Sequence, residues 1–292
     1  MSVDRLQEKI RKLKNPSLVD FSVLPEHIPP HLMEEEGAFL PAYSRFCTQL
    51  LEQLADIVPA VRFSFGYFAL LGSEGLELLE QLTKKARQQG YYVILDGPES
   101  LSAQSAQMSA QVLFADSCRW YFDALILSSY IGSDGIKPYV EEMKRNDKSL
   151  FIVLRTANRS APELQDLLTG SRLVHMAAAD IVNRLAEPRV GRSGYSRIGA
   201  VAGASSAHSL QSLRGKYDRL FLLLDGYDYS NSNAKNCSAA FDKLGHGAAA
   251  CAGVSVTAAY LAEESDGRNY LECARRAAER MKKNLTRYVT IL

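Results

Sequence analysis

With 292 residues, 47% of them hydrophobic, the chain has ample material for a large core, and α/β barrels commonly reach this length as one domain. Its 34 Lys and Arg against 33 Asp and Glu leave a formal charge of +1, which excludes a global field that would recruit nucleic acid or an anionic membrane. The five cysteines (Cys47, Cys118, Cys237, Cys251, Cys273) form no CxxC, no apolar run is long enough for a bilayer, and the opening MSVDRLQEKIRKLKN lacks the apolar block of a secretory signal, so a reduced, soluble, cytoplasmic protein is expected.

Val3, Leu6, Ile10 and Leu13 recur at helical spacing, and Asn15-Pro16 stops that first helix. Leu18–Leu24 reads as a strand, followed by the proline-rich loop Pro25–Pro30. Leu40, Tyr43, Cys47, Leu50, Leu51, Leu54 and Ile57 mark one helical face, and Ala60–Phe65 is a second strand. Gly72-Ser73-Glu74 predicts a helix start; Lys84, Lys85 and Arg87 suit its last turn before Gly90. Further strands are predicted at Tyr91–Asp96, Ala124–Ser129, Leu150–Thr156, Arg197–Ala204, Arg219–Asp225 and Gly247–Gly253. The clearest helical patterns between and after them are Ile136–Arg145, Leu173–Leu185, Ser209–Tyr217, Ala239–Leu244 and a long last helix at Asn269–Thr286. Eight strands alternating with helices predict a (β/α)8 TIM barrel, one domain over residues 1–292, with an extra N-terminal helix and a long C-terminal one. The alternative, an open doubly wound sheet, finds no strand followed by GxGxxG.

The stretch Tyr91–Leu101, YYVILDGPESL, is where chemistry is expected: a gapless apolar strand breaking into Asp96-Gly97-Pro98 at its carboxyl end. Asp96 reads either as a catalytic acid or as a turn residue bonding backbone N–H groups. Arg62 and Arg155 are expected to point into a barrel mouth, to bind an anion or to pair with Asp96. Asp96, Asp225 and Asp228 make that mouth acidic, suited to a cation or amine, or simply solvated. Cys251 reads as a small buried residue, and Ser230-Asn231-Ser232-Asn233 as a flexible polar loop. His27, His31, His175, His208 and His246 lack metal-ligand spacing, so structural roles and no metal are expected.

Asp4-Arg5-Leu6, Ile57-Val58-Pro59-Ala60-Val61, Asp123-Ala124, Gly132-Ser133-Asp134-Gly135-Ile136, Phe151–Asn158, Gln165-Asp166-Leu167, Gly199–Ala204 and Gly226-Tyr227 stand in order at suitable spacing. Together they resemble the bacterial branch of the orotidine 5'-phosphate decarboxylases over nearly the whole chain. The resemblance implies a dimeric barrel that makes UMP from OMP, the last step of pyrimidine biosynthesis, with no metal or cofactor. It also locates departures. The aspartate that the family carries after its first strand falls on Ser22, and the lysine of its second on Arg62. In the family's Asp-x-Lys-x-x-Asp after strand three, Asp96 matches the first acid, but Pro98 replaces the proton-donating lysine and Leu101 the last aspartate. The Asn-Pro after strand four is Ser128-Ser129, and the pyrimidine-binding serine falls on Ala157. The glycine-rich phosphate loop has become Asp225-Gly226-Tyr227-Asp228-Tyr229-Ser230-Asn231-Ser232, and its phosphate-gripping arginine falls on Val254.

Proline offers no donor on side chain or backbone, and an arginine is a poor general acid. A phosphate dianion needs N–H donors and positive charge, where this chain has Asp225 and Asp228. The expectation is a family member that no longer decarboxylates OMP and acts by binding or association, as a homodimer or with an active paralogue. Two alternatives stand beside it: a barrel re-equipped for another small-molecule reaction through Asp96, Arg62, Asp225 or Asp228, or an ordinary OMP decarboxylase whose loops align differently.

Overall fold

The computed structural model describes residues 1–230 and 232–292. Among the described residues ten strands are formed: β1 Ser17–Asp20, β2 Ala60–Ser64, β3 Tyr92–Asp96, β4 Ala124–Ser128, β5 Ser149–Arg155, β6 Leu168–Thr169, β7 Arg172–Leu173, β8 Ile198–Gly203, β9 Leu222–Asp225 and β10 Ala248–Ala252. Eight of them close a barrel in the order β1-β10-β9-β8-β5-β4-β3-β2, while β6 and β7 form a separate two-stranded hairpin. Every barrel pairing is parallel, so all eight carboxyl ends open at one mouth. The strands are apolar on both faces because one packs inward and the other against the helices, as Val93, Ile94 and Leu95 of β3 illustrate, each with no exposed surface.

The opposite end is sealed by the helix Ser2–Leu13. Ser2 Oγ donates to the Asp123 carbonyl at 2.8 Å, Gln7 Oε1 accepts from the Gly247 N–H at 3.0 Å, and Arg5 donates to Asp123 at 2.8 Å. Asp123 also accepts from the Val93 N–H at 2.8 Å, which ties the cover to the starts of β3 and β4. The C-terminal helix Tyr270–Thr286 packs on the helix Phe39–Leu54, with the Tyr270 and Phe46 rings stacked at 5.3 Å.

Local chemistry moves several boundaries from their predicted places. β1 ends at Asp20 rather than Leu24 because the Ser22 N–H turns back onto Asp20 Oδ1 at 2.8 Å. Beyond it, the Tyr43 and Tyr67 hydroxyls hold the carbonyls of Phe21 and Val23, fixing that edge of the mouth. β2 ends at Ser64, whose Oγ caps an unpredicted helix, Phe65–Leu70, so the helix expected from Gly72-Ser73-Glu74 follows another helix instead of a strand. The helix Ala103–Leu113 has no strong sequence signal, since small residues supply its buried face, Ala106 and Ala110 with Leu113. Ala239–Leu244 is not helical. Asn233 caps an earlier helix, Ala234–Ser238, and Asp242 Oδ1 accepts from the N–H groups of Leu244 and His246, holding a turn there. Of the polar stretch Ser230–Asn233, Asn231 lies outside the described residues.

Candidate active-site mouth

Three strand ends converge on one guanidinium. Asp20 of β1 is the register partner of Arg62 on β2, which places their side chains side by side on the inner face of the mouth. Arg62 Nε donates to Asp20 Oδ2 at 2.7 Å, with Nη2 on the same oxygen, while Nη1 donates to Asp225 Oδ1 of β9 at 2.9 Å. Arg62 is thus engaged by two carboxylates and does not pair directly with Asp96. Burial pulls its pKa down, but Asp20 and the other acids nearby hold it well above the usual guanidinium value, so it remains a fixed charge and not a proton donor. Asp20 is a mouth residue that sequence reading passed over. An acid interrupting an apolar strand was the available signal, but matching the family motif directs attention two residues on, to Ser22.

The Arg62–Asp225 pair divides the mouth in two. On one side is a cavity of about 510 Å³ lined by Asp96, Glu99, Ser128, Ser129, Tyr130 and apolar residues of β4, β5 and β8. On the other is a smaller one of about 180 Å³ around Asp20, Ser22, Asp228, Tyr229, Cys251 and Val254. Neither is lined by a lysine among the described residues. Leu101 is 84% exposed and Pro98 sits on the loop beyond β3, so neither plugs the larger cavity.

Asp96 lines that cavity from the end of β3, and among the described residues its carboxylate accepts no hydrogen bond, which removes the turn-capping role considered for it. Burial, reinforced by Asp20, Asp225 and Glu99 against the lowering influence of Arg62, pushes it up to about 6. Arg155 does not reach it. Its Nε and Nη2 donate to Asp166 Oδ1 and Oδ2 at 2.9 Å each, and His175 Nδ1 lies 3.1 Å from the same carboxylate. These bonds, Arg155 first, hold Asp166 below the usual carboxylate range. With Gln165 bonded to Thr156 at 2.8 and 2.9 Å, they pin the long loop after β5.

The β9 loop folds onto the end of β10. Asp228 accepts from the N–H groups of Gly253 at 2.8 Å and Ser255 at 3.3 Å, and from the Ser255 hydroxyl. An internal carboxylate therefore takes the backbone donors beside Val254. Ala157, buried, packs against Gly226, whose φ of 74° and lack of a side chain let Tyr229 lie over it; a Cβ there would stand 2.4 Å from that of Ala157. Ser22 Oγ accepts from the Ser64 N–H at 3.1 Å, and Ser230 is exposed beside a third cavity with Arg155 and Ala157. Cys251 is buried in β10, and burial pushes its thiol well above the ordinary value. Among the described residues, no set of three His, Cys, Asp or Glu side chains is placed to hold a metal ion, and no helix is long and apolar enough to cross a membrane.

No family model matches the chain. A curated relative from Rhodopirellula baltica, named orotidine 5'-phosphate decarboxylase, is 30% identical over 252 residues, spanning 84% of this chain and 83% of the relative. The chain belongs to the orotidine 5'-phosphate decarboxylase family. A relative of the same name from Clostridium acetobutylicum is 28% identical over 284 residues and covers 97% of this chain and 98% of its own. The fold agrees with solved structures of the family: the OMP decarboxylase of Leishmania donovani superposes with a TM-score of 0.75 at 22% identity, covering 98% of each chain. That of Plasmodium berghei gives 0.79 at 12% identity, covering 98% of this chain and 97% of its own. Within this barrel, Asp96 stands at the end of β3 and lines a cavity at the mouth.

Proposed function

We propose that this chain is a non-catalytic member of the orotidine 5'-phosphate decarboxylase family, one barrel domain that works in the cytoplasm by binding or association. One observation carries the reading: no lysine lines either mouth cavity among the described residues, and the mouth guanidinium, Arg62, is already engaged by Asp20 and Asp225. Without a positioned ammonium there is no general acid to protonate a carbanion left by departing CO2. The carboxylate of Asp228 on the Gly253 and Ser255 N–H groups supports the same conclusion, since a phosphate dianion would meet that negative charge first. Pro98, Leu101, Ala157 and Val254, at positions where the family resemblance leads one to look for polar groups, agree with it.

Association is supported by the connections that follow β2, β3 and β4 at the mouth end, which carry Leu70, Leu101 and Tyr130, exposed by 88%, 84% and 81%. The proposed assembly is a homodimer, with pairing to an active paralogue as its variant. The decisive experiment is an ultraviolet decarboxylation assay with OMP, together with a thermal shift on UMP. We expect no turnover and no stabilisation. Saturable turnover would instead mean an ordinary OMP decarboxylase.

A second reading, a barrel re-equipped for another small-molecule reaction, is favoured by the open cavity of about 510 Å³ with an unpartnered carboxylate, Asp96, on its wall. A substrate-dependent change in a reaction screen, lost in Asp96→Asn, would select it.

A further inference from the structure

The larger mouth cavity has a composition that discriminates among ligands. Ile126, Val153, Leu154, Val174, Ala178 and Val201 give it an apolar wall. Facing that wall are Asp96 and Glu99, with Arg62 and Asp225 bonded to each other at the boundary with the smaller cavity. Its volume, about 510 Å³, lies within the range of small-molecule sites.

An anion entering here would meet two carboxylates, with the guanidinium already engaged by Asp20 and Asp225. A neutral apolar molecule would cover Asp96 and leave its oxygens without partners, which is costly. A metal ion would find no three-ligand set among the described residues and an apolar wall where waters should be. An ammonium on an apolar body answers all three difficulties. It donates to the unpartnered carboxylate, offsets its desolvation, and sets hydrocarbon against the wall. Tyr130, at the rim of the same cavity, adds an aromatic face suited to a cation.

We propose that this cavity binds a small protonated organic amine, its ammonium on the Asp96 carboxylate and its apolar body between β4, β5 and β8. The inference rests on the reading that the mouth no longer serves a nucleotide. It carries a pH signature. The charges facing Asp96 are Arg62, which favours its ionised form, and Asp20, Asp225 and Glu99, which oppose it; with burial they set its titration at about 6. Amine affinity therefore falls about tenfold from pH 7.5 to pH 5, as the carboxylate protonates.

The test is calorimetric titration of the full chain with benzylamine, benzyl alcohol, benzoate and UMP. Benzylamine should bind saturably at pH 7.5, at least about tenfold tighter than its neutral and anionic counterparts. Asp96→Asn should lose that margin while remaining folded by circular dichroism, because it removes a carboxylate that holds nothing in place. Ala178→Phe should block binding by filling the cavity. Equal affinity for benzyl alcohol, undiminished binding by Asp96→Asn, or no saturable heat up to about 10 mM amine, a weak-fragment limit, would overturn the proposal. UMP binding would overturn the underlying reading, whereas silence of both amine and UMP would overturn the amine site alone.

Discussion

Asp96 couples the stability of the mouth to pH. Its folded-state value of about 6 lies above the ordinary unfolded carboxylate value of about 3.9. Its contribution to stability is therefore fully present below about pH 4, is lost as pH rises to about 6, and leaves a constant penalty of about 1–3 kcal/mol beyond. Asp96→Asn should be more stable than the wild type by that amount at pH 7.5 and indistinguishable from it at pH 4, as urea denaturation at both values would measure. Arg62 behaves oppositely. Arg62→Met strands Asp20, largely buried, and Asp225, partly buried, and should cost about 3 kcal/mol in the same measurement. Removing the positive charge should also drive Asp96 above 6 in a carbon-detected NMR titration, because Arg62 is the neighbour that lowers it.

At the scale of elements, two loops make the mouth what it is. The turn after β9 depends on Gly226, with its φ of 74° and the close approach of Ala157 and Tyr229. Gly226→Ala should cost about 2–3 kcal/mol, combining left-handed strain with overpacking. Gly170→Ala, in the β6–β7 turn at φ 65° with open space around it, should cost only about 1 kcal/mol. Parallel thermal melts would separate the two. The loop after β5 hangs on Asp166, which binds the buried Arg155 through two hydrogen bonds. Asp166→Ala should cost about 3 kcal/mol and speed amide hydrogen exchange through residues 156–173 while leaving β1–β4 protected.

At the scale of the whole molecule, the proposed dimer would bury apolar side chains that now face solvent. Leu101→Glu should shift the sedimenting species toward monomer without lowering its thermal stability, since Leu101 is 84% exposed and contributes no core packing. Much of this architecture was legible in the chain. Each barrel strand is a short apolar run bounded by turn residues, and burial on both faces is what writes such a run into sequence. Asp96 was legible too, as the polar residue that ends one of them. Elements whose signal is carried by small or polar residues were not: the Ala-faced helix Ala103–Leu113, the Ser64-capped helix Phe65–Leu70, and the turn at Asp242 that replaces a predicted helix. What the residues alone determined is the barrel, through apolar periodicity, and the groups at strand ends such as Asp96 and Asp225, through their place in the chain, but not Asp20, where a turn ends β1 early. Only closure of the barrel decided which of those groups meet: β1, β2 and β9 bring Asp20 and Asp225 onto Arg62 and leave Asp96 without a hydrogen-bond partner among the described residues. Pairing among charges more than 40 residues apart depends on strand register and tilt, and no local pattern encodes it.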